Sequence, residues 1–151
     1  MRNTICATLT AITLTLCTAL AGCGSASKTS TPAHAIAATG IHAAPIAAEF
    51  LVHSNEELAH ADLLAKRIVQ LGGTPMMDPA GLTERSHAEY VACDDLKQMI
   101  RENLVAERIA IESYRELIRF FGDKDSTTRS MLEGILATEE EHADELADLL
   151  E

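Results

Sequence analysis

Between Ile46 and Leu71, positions 46, 50, 53, 57, 60, 64, 68 and 71 recur at intervals of three and four, which places them on one stripe of a helix. The stripe reads Ile, Phe, His, Glu, His, Leu, Ile, Leu, so apolar ends flank a polar centre. Gly72 and Gly73 predict a left-handed stop, and Pro75 and Pro79 forbid continuation. A second stripe, Leu96, Ile100, Asn103, Glu107, Ala110, Tyr114, Leu117 and Phe121, predicts a helix over about 88–121. Ser86 and Glu89 have capping-box spacing ahead of it, and Gly122 ends it. The third stripe, Leu132, Ile135, Glu139, His142, Leu146 and Leu149, predicts a helix over about 126–150 that Asp125 or Ser126 can cap. The prolines and glycines of 72–85 read as a long crossover rather than a tight turn.

Three helices of about 25 residues, each about 37 Å long at 1.5 Å per residue, make an all-α bundle. No stretch alternates as a strand would. Charge then divides the chain. All 23 acidic residues lie from Glu49 onward, and before that point the only charged side chains are Arg2 and Lys28. So acidic a body repels nucleic acid backbone, and 3% aromatic content without tryptophan offers no base-stacking surface, so no direct nucleic acid contact is expected. Cations suit it better. Cys93 is alone in the acidic body, so the cysteines supply neither a staple nor a zinc pattern.

Residues 1–22 are apolar, short for a membrane span and preceded by a single arginine, the layout of a secretory signal. Leu20-Ala21-Gly22-Cys23 resembles the lipobox of bacterial lipoproteins, in which the cysteine is acylated. Residues 23–42, rich in Ser, Thr, Ala and Pro, would then be a flexible tether, and 43–151 the helical domain. On that reading the protein meets a membrane through acylated Cys23 and sits in the cell envelope. The abrupt absence of acids is also what a shifted frame or a mistaken start would produce.

Glu57-x-x-His60 and Glu139-x-x-His142 are one motif on two helices, and three-residue spacing puts both side chains on one face, a turn apart. Carboxylate and imidazole together suit iron, manganese or zinc, whereas magnesium and calcium favour oxygen-only sets. With Glu107 from a third helix there are five ligands, enough for two metals bridged by carboxylate. Three carboxylates on apolar stripes require cations to make their burial tolerable. His53, one turn from Glu57, can be a further ligand or a core histidine. Tyr114 reads as core, and His34, His42 and His87 show no ligand spacing.

On these residues the body resembles the ferritin-like superfamily, close to bacterioferritins and Dps-like ferritins, over about residues 38–151. The segments that carry the resemblance are Asn55-Glu-Glu-Leu-Ala-His-Ala-Asp62, Asn103-Leu-Val-Ala-Glu-Arg-Ile-Ala-Ile-Glu-Ser-Tyr114 and Glu139-Glu-Glu-His-Ala-Asp144. The resemblance implies an up-down four-helix bundle with a long crossover. It implies that Glu57, His60, Glu107, Glu139 and His142 hold a di-iron centre, with Glu57 and Glu139 bridging. It further implies a ferroxidase that oxidises ferrous iron with O2 or H2O2 and stores it in a homo-oligomeric shell, in the cytoplasm if family-like. Bacterioferritins place a haem-ligating methionine where this chain has Leu58, so haem is not expected. The family's first helix, with its glutamate ligand, should precede Ala38, and residues 1–37 contain no acid. The alternative is therefore a truncated or lipid-anchored metal-binding protein without full ferroxidase activity. A rubrerythrin-type peroxidase would need a Cys-x-x-Cys iron module that the chain lacks.

Overall fold

In the computed structural model, which describes residues 30–76 and 91–151, every element among the described residues is an α-helix. In chain order these are α1 (Ser30–Ala37), α2 (Ala43–Gln70), α3 (Leu96–Phe121) and α4 (Ser126–Asp148). The chain divides into two compact units, Met1–Ala92 with α1 and α2, and Cys93–Glu151 with α3 and α4.

In the first unit α1 packs on α2. The predicted stripe of α2 is its buried face: Ile46, Phe50, His53, Glu57, His60, Leu64 and Ile68 are all buried. The helix ends as its glycines require. Gly72 adopts φ +86°, and the Gly73 N–H donates to the Ile68 carbonyl at 2.9 Å, the long bond of a Schellman cap. A side chain at Gly72 would be strained at that φ.

Where the sequence predicts a tether, Ser30–Ala37 is helical. Alanine favours a helix locally, and Pro32 falls in the first turn, where its missing N–H is no loss. His34 is buried with its ring 6.1 Å from that of Phe50. The signal-like segment 1–22, the lipobox cysteine Cys23 and the start of the tether lie outside the described residues. Among the described residues no helix is long and apolar enough to cross a membrane.

In the second unit α3 and α4 run antiparallel, with Arg115 bound to Glu140 near one level and Glu107 beside His142 at another. The start of α3 corrects the sequence reading: the helix begins at Leu96, not about 88. Asp95 is the cap, accepting the Gln98 N–H at 2.9 Å, and residues 91–95 precede the helix without joining it. Ser86 and Glu89 lie outside the described residues. Of the two caps allowed for α4, Asp125 serves, accepting the Thr128 N–H at 3.0 Å and the Thr128 hydroxyl as well. The core of this unit is the pair of predicted stripes, and Leu132 and Leu146 are completely buried. Each such leucine contributes roughly 1.5–3 kcal/mol by leaving water. Leu149, assigned to the stripe from periodicity, is exposed at the C-cap that follows Asp148.

Candidate metal centre

All five predicted ligands are buried, although carboxylates rarely are. In the first unit Glu57 and His60 sit one turn apart on the core face of α2, with His60 Nδ1 3.7 Å from Glu57 Oε1. Helical spacing alone brings them together. In the second unit the convergence needs two helices. Glu107 comes from the middle of α3, and Glu139 and His142 from the middle of α4. One ligand atom from each of the three lies within 4.8 Å of the others, and His142 Nδ1 is 3.8 Å from Glu107 Oε1. Atoms bound to one ion at about 2.1 Å can be no more than about 4.2 Å apart, so shifts of a few tenths of an ångström would let all three reach a single cation.

The surroundings favour a cation strongly. Glu139 is 0% exposed and Glu107 6%, and no lysine or arginine is buried among the described residues. Desolvating a carboxylate costs several kcal/mol unless positive charge compensates, and here the buried basic groups are histidines alone. Neutral imidazole and carboxylate are also ligands that iron, manganese and zinc accept. The residues therefore fit a metal.

Two features lie outside the sequence reading. Glu49, four residues before His53, has its Oε1 3.4 Å from His53 Nε2. The i, i+4 spacing is the available signal for that pair. His34 is buried at 1% exposure, and nothing in its Ala-rich neighbourhood announces it. Cys93 is half-buried, and burial, followed by the nearby carboxylates of Glu102, Asp95 and Asp94, pushes its thiol above the usual range. That environment disfavours the thiolate a metal or an electrophile would need.

A family model described as ferritin-like domain matches residues 26–151, most of the chain. The chain belongs to the ferritin-like domain family. The match begins at residue 26, ahead of the boundary near 38 expected from motifs, and so takes in α1. Among solved structures, a bacterioferritin-related protein from Bacteroides fragilis, described as a dodecameric thioferritin, shares 31% identity over 99% of this chain and 86% of its own, with a TM-score of 0.87. Dps from Thermosynechococcus elongatus shares 18% identity over 99% of this chain and 91% of its own, with a TM-score of 0.86. A Dps protein from Vibrio cholerae O1, described as a member of a broad superfamily of ferritin-like diiron-carboxylate proteins, shares 16% over 99% and 91%, also with a TM-score of 0.86. Identity this low in the two Dps proteins speaks for the fold. The ferritin-like fold and its buried carboxylate and imidazole groups together support iron binding.

Proposed function

We propose that this ferritin-like chain binds ferrous iron at a di-iron centre formed by Glu57, His60, Glu107, Glu139 and His142. There it oxidises the iron with O2 or H2O2 and retains it in a homo-oligomeric shell. The observation that carries this reading is the burial of three carboxylates on helix centres with no buried lysine or arginine among the described residues. Glu57 and His60 are one half of the proposed centre, and Glu107, Glu139 and His142 are the other. Ferrous iron is the substrate, and each ion gives one electron to the oxidant. Anionic ligands in a dry interior stabilise the ferric ion more than the ferrous, because the added charge interacts more strongly at low dielectric, and this favours oxidation. The dodecameric state of the B. fragilis relative supports homo-oligomerisation.

One observation favours a second reading. No residue of α1, Ser30–Ala37, is acidic, so this helix offers no carboxylate to the centre. The alternative is a protein, free or anchored by lipid at Cys23, that binds iron but turns it over slowly. Anaerobic ferrous titration followed by exposure to O2 separates the two. About two irons per chain, oxidised rapidly and not by Glu107→Ala or His142→Ala, supports the ferroxidase. Stoichiometric binding with oxidation no faster than in buffer supports the alternative, and no binding above background removes both.

A further inference from the structure

Along α2 the metal-ligating residues are not confined to Glu57 and His60. Glu49, His53, Glu57 and His60 stand at intervals of four, four and three, so each falls about one turn beyond the last on a single face, and carboxylate alternates with imidazole. The series also runs inward in exposure. The Glu49 side chain is 35% exposed and that of His53 1%, and Glu57 and His60 are buried. The geometry of the outer pair suits an ion of its own. His53 Nε2 and Glu49 Oε1 are 3.4 Å apart, longer than the roughly 2.7–3.2 Å of an N–H···O hydrogen bond. Two atoms that each bind one ion at about 2.1 Å stand about 3.4 Å apart at a tetrahedral angle. Helix α2 also carries no lysine or arginine before Lys66, so no basic side chain of this helix near Glu49 competes with a cation for its carboxylate.

We propose that Glu49 and His53 form a third cation site, a landing site that takes aquated ferrous ion from solvent and passes it to Glu57. This role rests on the di-iron reading above and adds the step that precedes it. Two protein ligands leave the rest of the ion's coordination to water, and the exposure of Glu49 keeps that side of the site open. Such a site binds weakly and releases readily, as a point of passage requires. The Glu49 carboxylate supplies the charge that draws the cation in, and the His53 imidazole replaces lost water with a ligand that divalent iron accepts. Loss of water is the main cost of moving an ion into a dry interior. The series on α2 divides that cost. The ion sheds part of its water at the half-buried pair before it meets the buried carboxylate of Glu57, one turn, or about 6 Å, further along the helix.

Anaerobic calorimetry of the full chain with Co2+, which stands next to Fe2+ in the affinity order, counts the sites. Wild type should take about three ions per chain, two tightly and one more weakly. Glu49→Gln changes a half-buried side chain without changing its size, so it should keep its helical circular dichroism and take the two tight ions alone, at unchanged affinity. Glu49→His should restore the third ion, since histidines four residues apart also share one helix face. Stopped-flow mixing then separates landing from chemistry. When limiting ferrous ion and O2 are added together, Glu49→Gln should oxidise iron at least about tenfold more slowly than wild type, the scale of loss that follows removal of a partner of a metal ligand. When ferrous ion is bound anaerobically first and O2 follows, the two proteins should oxidise it at the same rate. A third ion that persists in Glu49→Gln overturns the proposal, as does a third ion lost without slower loading. A variant that is slow even when preloaded also overturns it, because Glu49 would then belong to the centre itself. Wild type that binds two ions and no third removes the landing site alone, whereas wild type that binds none removes the di-iron reading with it.

Discussion

Helices α2 and α4 carry the same Glu-x-x-His motif in the middle of a buried face, and they differ almost completely on the other side. The exposed residues of α4 include Glu133, Glu140, Glu141, Asp144, Glu145 and Asp148, with no large apolar side chain among them. Those of α2 include Leu51, Val52, Leu58, Leu63 and Val69, with one acid and one base. The same inward chemistry therefore sits on a helix whose outer side is charged and on one whose outer side is largely apolar. Inward positions are constrained by the burial of charge, outward positions by what the surface must meet, and a helix lets the two vary separately.

The comparison is most sharply tested at the ligands. Glu139→Ala with His142→Ala on α4, and Glu57→Ala with His60→Ala on α2, should each weaken ferrous binding a thousandfold or more, about 4 kcal/mol, by anaerobic calorimetry. Equal losses are the expected outcome for one shared centre. Wild-type affinity in the α2 double variant would show that α2 only looks like α4. The cores should respond alike as well. Leu64→Ala and Leu132→Ala each empty a fully buried site and should cost about 2–5 kcal/mol in denaturant titrations.

Smaller effects distinguish the helix ends. Asp125 caps α4, so Asp125→Ala should cost about 1 kcal/mol, whereas His42 makes no side-chain cap for α2 and His42→Asp should stabilise by a comparable amount or less. Thermal melts that move in the same direction for both would break the contrast. The smallest change is expected from Arg115→Ala. Arg115 holds Glu112 at 2.7 Å and Glu140 of α4 at 2.6 Å on the surface, where salt screens the attraction, and the melting temperature should scarcely change in buffer of high ionic strength.

Much of this is legible in the residues because helical periodicity is a local property. The stripes of α2, α3 and α4 follow from apolar spacing, and Gly72 announces its left-handed cap because few other residues adopt that conformation without strain. Capping signals are less selective. The periodic stripe alone leaves the first residue of α3 open, and the side chain that caps it is Asp95, at the start of the helix at Leu96. Helix α1 is illegible for a different reason. An Ala-rich segment with few large apolar residues has no stripe to read, and its helix is stabilised by packing on α2, where His34 lies against Phe50.

By itself the sequence determined which residues lie on the same helix face, including the pairing of Glu57 with His60 and of Glu139 with His142, because 3.6 residues per turn leaves little choice. Only the tertiary structure decided that Glu107 stands within reach of Glu139 and His142. That distance depends on the level at which α3 and α4 pass each other, which is set by packing between the helices and encoded in no spacing along either one.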